Sequence, residues 1–373
     1  YVNCRSALDI SRLKIAIVVE AIPPHCGGGE QVAWIHAVEL AKNYEVAVVT
    51  LGETYSETTQ DNVRVYCLPR QKRNLFAYLT THRALLNRCI DRIAPTVIHC
   101  HMPNELAVCL KSQGRLMVST IHDGVPENEQ LELRFTSKRE WLRFKVIRRI
   151  NVKKSDLITC VSQHNRDTMR ALYPKLASKF SFIPNPIYDR FFAATRDGDD
   201  GYVLNFGRQM ALKMAPLLEV AKQMPDTRFV FVGTGDMVKD YGLPNVQFVG
   251  FSATVEEYID RAALCVFPSL SENFPLVGLE AMARGKAVIA TQRGFSEYID
   301  HSKNGYLLSS TKPQCIIEAI TTLMSNAELR AEIASNARVT AENYRPERVI
   351  HQYSQLYKNA LNPVPNIEQD RNE

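Results

Sequence analysis

The sequence predicts an α/β chain made of two Rossmann-like, doubly wound halves. Three observations predict it. Short, β-branched apolar runs alternate with amphipathic helical stretches, the pattern of a parallel sheet covered on both faces. That alternation breaks once and then restarts. The length of 373 residues suits about two domains at ~150 residues each.

The elements follow in order. Lys14–Val19 is the opening strand run, and the glycine loop Gly27-Gly28-Gly29 leads into a helical stretch, Glu30–Lys42. Glu45–Thr50, Val63–Cys67, Thr96–His101, Leu116–Ile121 and Asp156–Val161 continue the strand series. Phe180–Ile183 runs into Pro184-Asn185-Pro186, and Arg196-Asp197-Gly198-Asp199-Asp200-Gly201 is polar and turn-rich, the best linker candidate. Strand runs resume at Tyr202–Phe206, Arg228–Val232, Val246–Val249, Leu264–Phe267, Ala287–Ala290 and Tyr306–Leu308. The remainder reads as helical, with a polar tail at Asn362–Glu373. The expected division is residues 1–186, residues 187–345, and a terminal helix with its tail over 346–373. Ligands of such sheets bind beyond the carboxyl ends of the strands, so two facing domains would share a cleft.

Composition narrows the function classes. Hydrophobic residues are 45% and charged residues 23%, values of a folded globular chain. No apolar run reaches the ~18–20 residues of a membrane span, which argues against a polytopic transporter. The net charge of +5 is too small for a nucleic-acid-coating protein. The nine cysteines are scattered, with no Cys-x-x-Cys pair, as reduced thiols of a cytosolic protein would be.

Three segments carry chemistry. Gly27-Gly28-Gly29-Glu30 opens a helix after the first strand; it is either a phosphate or sugar contact or a simple tight turn. Gly207-Arg208-Gln209-Met210-Ala211-Leu212-Lys213 crosses a strand-to-helix turn. Its Arg fork and Lys point charge can both reach one diphosphate, or can be a solvated loop pair. In Pro268–Ala290, Glu272 lies in a loop and Glu280 in a helix among apolar neighbours, where an unpaired carboxylate is costly and ligand hydroxyls would satisfy it. Asp197-Gly198-Asp199 reads as a solvated turn. His99 and His101 share one strand face and Cys100 the other; without further spaced ligands they read as core and cleft lining, so no metal site is expected.

The Glu272–Ala290 block resembles the Glu-x7-Glu motif of retaining glycosyltransferases of the GT-B fold, the group 1, family 4 type. Gly27–Glu30, His122-Asp123, Asn185-Pro186, Gly207-Arg208 with Lys213, and Val232–Asp236 occur in that family's order and extend the resemblance over nearly the whole chain. The resemblance implies a first, acceptor domain, a second, nucleotide-sugar donor domain, and a last helix that crosses back to the first domain. Arg208 and Lys213 would hold the donor diphosphate, and Glu280 the ribose hydroxyls. Glu272 with the backbone N–H groups of Phe274, Leu276 and Val277 would hold the transferred sugar and phosphate. Gly28 and Gly29 would close over phosphate and sugar, Gly233, Gly250 and Phe251 would lie along the base, and His122 would face the sugar. Two departures stand out: Met214 follows the phosphate lysine where glycine is usual, and Pro275 removes one N–H from the phosphate loop.

The implied reaction is metal-independent transfer of a hexose from a UDP- or GDP-sugar, with no further cofactor and with retention. The product would be a cell-surface polysaccharide, lipopolysaccharide or glycolipid. Between Arg134 and Lys154, nine basic residues interleave with Trp141, Leu142, Phe144, Val146, Ile147 and Ile150. Such a helix can lie on an anionic membrane or pack its apolar side on its own domain. The expected protein is cytoplasmic, peripheral on the inner face of the membrane, and takes a glycan or lipid-linked acceptor and no nucleic acid. The rival readings are a synthase with a soluble acceptor, a sugar-nucleotide 2-epimerase and a catalytically silent nucleotide-sugar-binding subunit.

Overall fold

The computed structural model describes residues 13–24, 26–70, 83–102, 110, 112–122, 138–195 and 198–362. Asp123, the 134–137 end of the basic stretch, Arg196, Asp197 and the tail from 363 lie outside the described residues. The chain forms two compact units, residues 1–183 with 346–373, and residues 184–345.

The first unit holds an eight-stranded sheet. Its strands are β1 (Lys14–Val18), β2 (Glu45–Gly52), β3 (Ser56–Gln60), β4 (Val63–Pro69), β5 (Val97–Met102), β6 (Leu116–Ile121), β7 (Leu157–Cys160) and β8 (Phe180–Phe182), in the order β3-β4-β2-β1-β5-β6-β7-β8. All pairings are parallel except β3 with β4. Its described helices are α1 (Gly28–Leu40), α2 (Arg83–Ile93), α3 (Lys138–Lys154) and α4 (Gln163–Leu172). Strand alternation sends Cys100 and Ile98 into an apolar core with Leu86 and Ile90 of α2. It sends His99 and His101 to the other face, under α1.

The second unit holds β9 (Tyr202–Phe206), β10 (Phe229–Val232), β11 (Val246–Gly250), β12 (Ala262–Phe267), β13 (Val288–Thr291) and β14 (Tyr306–Leu308). Every pairing is parallel, in the order β11-β10-β9-β12-β13-β14. This is a doubly wound sheet whose strand order reverses between β9 and β12. Its helices are α5 (Ala211–Gln223), α6 (Val255–Arg261), α7 (Leu276–Ala283), α8 (Pro313–Ser325) and α9 (Ala327–Ala341). Met214, Leu217, Phe231, Val266, Ile289 and Ile320 are buried in one core. Met214 therefore fills the core from the inner side of α5, which accounts for the absence of a glycine there.

The last helix, α10 (Pro346–Leu361), belongs to the first unit. Its Tyr353 and Tyr357 are almost wholly buried against that sheet's histidine face. The turn expected to link the domains lies inside the second unit instead. Asp200 donates its N–H to the Arg261 carbonyl and pairs with the Arg261 guanidinium at 2.7 Å. Polar, turn-rich composition marks a surface loop as readily as a linker, and here it marks the loop into β9. The seven described cysteines are free thiols.

Candidate functional site

The carboxyl edge of the second sheet is assembled by glycines. Gly207 (φ 106°) ends β9 and Gly233 (φ 133°) ends β10, both in the left-handed region that side chains avoid. A Cβ on Gly233 would fall 1.8 Å from the Gly207 carbonyl oxygen, and one on Gly207 would touch Val277 at 3.1 Å. The Gly207 and Gly233 turns thus approach as closely as backbones allow, and the Val277 side chain at the start of α7 packs against Gly207. Gly233 donates its N–H to the Gly250 carbonyl at 2.7 Å, joining the end of β11 to the group. Gln209, which the sequence reading passed over, is fully buried and pins the turns: its Nε2 donates to the carbonyls of Gly207 and Val232.

Pro216 positions the acidic loop. It lies inside α5 and has no N–H to give the carbonyl four residues earlier. That carbonyl, on Leu212, accepts the N–H of Leu270 at 2.8 Å instead. The loop after β12 is thereby fastened to the first turn of α5, and Glu272 meets Lys213 in an ion pair at 2.9 Å. Arg208 is exposed on the preceding turn.

The loop then enters α7, whose N-cap is Pro275 and carries no side-chain cap. The first-turn N–H groups of a helix have no intrahelical acceptor, so those of Leu276 and Val277 are set for an anion. Pro275 precedes this turn, so the N–H it lacks is not one of the helical ones. The Tyr298 hydroxyl donates to the Pro275 carbonyl at 2.6 Å and lies over Gly278, fixing the entry angle. The Phe274 ring is buried against Tyr298 and Tyr344, which leaves its backbone as the part able to meet a ligand.

Glu280 is buried in α7, and burial pushes its carboxyl up to about 7, against the pull of the Arg190 guanidinium and with a smaller push from Glu256. Arg190 pairs with Glu256 at 2.8 Å. It had no signal in the sequence, because it lies in a turn far along the chain from α7. At the other end of the edge, the Phe251 ring stands 67% exposed after Gly250 (φ 81°).

In the first unit, Gly28 and Gly29 open α1 behind the N-cap Gly27, again with no side-chain cap. A Cβ on Gly29 would sit 3.2 Å from the His122 ring, so glycine lets that ring lie against the helix start. His122 follows β6, and its Nε2 is 2.7 Å from His101 Nδ1. Burial pushes His122 down to about 4. Beneath it lie His101, His99 and, from α1, His36, which the sequence reading did not single out because its helix reads as plainly apolar. Burial, then the neighbouring imidazoles, holds all three well below the ordinary histidine range.

The basic helix α3 is two-sided. Arg148 faces inward, buried, with its guanidinium 5.5 Å from the Phe144 ring centre, so it leaves the expected charged face. Leu142 and Val146 are exposed, with Lys145, Arg149 and Lys153 beside them. Among the described residues no helix is long and apolar enough to cross a membrane.

Comparison with known proteins agrees with this fold. Residues 26–190 match the family model described as Glycosyltransferase Family 4, and residues 202–326 match Glycosyl transferases group 1. An uncharacterized glycosyltransferase of Haemophilus influenzae is 27% identical over 146 residues, 36% of this chain and 41% of that protein. An uncharacterized glycosyltransferase of Methanocaldococcus jannaschii is 24% identical over 336 residues, 86% of this chain and 92% of that one. Among solved structures, Anabaena HepE in complex with UDP and glucose superposes with a TM-score of 0.74 at 19% identity, over 94% of this chain and all of that one. The fold is GT-B: two Rossmann-like domains with parallel sheets.

Proposed function

We propose that this GT-B glycosyltransferase moves a hexose from a UDP- or GDP-sugar to a glycan or lipid-linked acceptor, with retention of the anomeric configuration. The observation that carries the donor assignment is the edge where β9 and β12 diverge. There a glycine turn bearing Arg208 and the Lys213–Glu272 pair lie on the loops that lead to an uncapped helix start, and Glu280 is buried in the second turn of that helix. A sheet of this order binds ligands at this position.

The residues divide the donor among them. Arg208 and Lys213, with the N–H groups of Phe274, Leu276 and Val277, hold the diphosphate. Lys213 turns from Glu272 to phosphate, which releases the Glu272 carboxylate to accept sugar hydroxyls. Glu280 accepts from the ribose hydroxyls, a role that offsets its burial. The Phe251 ring lies along the base beside Gly250 and Gly233.

In the reaction the bond from the anomeric carbon to the diphosphate oxygen breaks. Charge grows on that oxygen, where the cations and N–H dipoles already point. The acceptor hydroxyl oxygen bonds to the anomeric carbon on the same face. Its proton passes to the leaving phosphate, and no metal step is invoked. Gly28 and Gly29 contact phosphate and sugar, and His122, neutral at physiological pH, orients the sugar rather than acting as an obligatory base.

The test is a thermal-shift panel of UDP, GDP, ADP and their sugar conjugates on the wild type, Glu280→Ala and Arg208→Ala. A shift selective for one nucleotide and lost in both variants is expected. Equal shifts in all three proteins would overturn the site.

One observation favours a membrane-borne acceptor over a soluble one. Leu142 and Val146 are 57% and 50% exposed amid basic side chains on α3, the pattern of an interfacial helix. Binding to anionic vesicles that falls in Leu142→Glu with Val146→Glu supports it, as would finding the enzyme on the inner, cytoplasmic face of the membrane. Equal binding of wild type and variant would point to a soluble acceptor.

A further inference from the structure

His36 of α1 and His99 and His101 of β5 converge beneath the glycine loop. One ring nitrogen from each lies within 4.8 Å of the others. All three side chains are 5% exposed or less. A group of buried imidazoles ordinarily satisfies its nitrogens with hydroxyls, carbonyls or one another. Here neither nitrogen of His36 has a hydrogen-bond partner, and His101 Nε2 has none. Three orphaned polar atoms in one place are costly unless something sits among them.

The remaining hydrogen bonds have the form of an outer shell. A metal-bound imidazole is oriented by a bond at its other nitrogen. His101 has that arrangement, with Nε2 open and Nδ1 held by His122 at 2.7 Å. His99 is held at both ends, by Tyr357 through Nδ1 and by Thr120 through Nε2, each at 2.7 Å. It can release Thr120 at little loss, because that hydroxyl also bonds Thr159 at 2.6 Å and Tyr353 at 3.3 Å. Cys100 faces the opposite core and is no ligand.

We propose that His36, His99 and His101 bind one divalent transition-metal ion of the zinc type, a structural clamp joining α1 to β5. The donor set selects the class. Three imidazoles suit zinc, cobalt, nickel or copper, whereas magnesium and calcium need oxygen ligands, and no carboxylate joins the cluster among the described residues. The clamp would hold the α1 start, Gly28 and Gly29, against His122. It needs no part of the transfer chemistry.

The test uses full-length protein expressed in zinc- or cobalt-supplemented medium, since the site is too buried to fill from outside. The variant is His36→Leu, which removes a ligand and both orphaned nitrogens while keeping an apolar filler. Expected are one metal per chain by elemental analysis, lost in the variant, and tetrahedral ligand-field bands in the cobalt form, also lost. Variant from metal-depleted medium should melt no lower than wild type from the same medium, whereas metal-loaded wild type melts higher than both. Wild type with no more metal than the variant, or a cobalt form without those bands, would overturn the proposal. The cobalt spectrum of wild type decides the matter even if the variant does not fold. Nucleotide binding is a separate readout, so failure of the clamp leaves the donor assignment standing.

Discussion

The carboxyl edges of the two sheets make an instructive pair. Each lies where strand order reverses, each begins with a glycine turn into an uncapped helix, yet they are furnished with opposite chemistry. The second unit presents charge, Arg208 exposed on a loop, Lys213 in the first turn of α5 and Glu272 paired with it, beside Gly207 and Gly233, which tolerate no Cβ. The first unit presents neutral rings, His36, His99, His101 and His122, packed into its interior. The same topology therefore decides where a ligand can be met but leaves what is met to a few side chains.

The largest effect should come from the second unit's backbone. Gly233→Ala combines a Cβ 1.8 Å from the Gly207 oxygen with φ 133°. It should cost more than about 3 kcal/mol and abolish nucleotide shifts, as denaturant melts would show. Its counterpart Gly29→Ala meets the His122 ring at 3.2 Å in ordinary helical backbone. A change within about 1 kcal/mol is expected there, with the smaller sugar-binding effect read by KM. If the two variants behave alike, the contrast between the edges fails.

Next in size are the cations. Arg208→Ala and Lys213→Ala should each lower kcat/KM about a hundredfold, or ~2.7 kcal/mol of transition-state stabilisation, with the melting temperature little changed. A third prediction sharpens the role of Glu280. Its folded pKa of about 7 lies above the ordinary 4.5, so the folded state binds the extra proton. The associated stability is complete below the unfolded value and is lost as pH rises through the folded one. Donor-free stability should therefore decline across that window by about 3 kcal/mol more for wild type than for Glu280→Gln. UDP- or GDP-sugar affinity should move the opposite way, rising roughly tenfold between about pH 6 and 8 if the carboxylate accepts ribose hydroxyls. A pH-independent affinity would remove Glu280 from the ribose.

The smallest effect belongs to the surface of the first unit. Leu142→Glu with Val146→Glu should leave stability within about 0.5 kcal/mol per site, because both side chains already face solvent. Vesicle co-sedimentation should nevertheless weaken, most visibly at low salt.

Much of the architecture was legible because apolar periodicity is a strong local signal. β6, β9 and β14 begin and end where their runs do. β3 escaped because Ser56–Gln60 is polar and exposed on both faces, an edge strand whose one sheet partner among the described residues is the antiparallel β4. Residues 198–201 lie within the second unit rather than between the units, a difference that composition hides because linkers and surface loops share it. The charged residues proposed for the donor site stood out by residue type and spacing. Gln209, Arg190 and His36 did not, since their positions depend on contacts across the fold. Pro216 could have been noticed as a helix breaker, but only the fold shows that the carbonyl it frees fastens Leu270.

Because α10 completes the first unit, that unit is discontinuous in sequence, with the whole second unit inserted between its parts. On the ribosome its eight strands emerge first but must wait for Tyr353 and Tyr357 before the cover that α1 begins over their histidine face is complete. The second unit, continuous from 184 to 345, can finish before then. Synthesis therefore closes the molecule in the reverse of its written order, and the amino-terminal sheet is the part a chaperone has longest to guard.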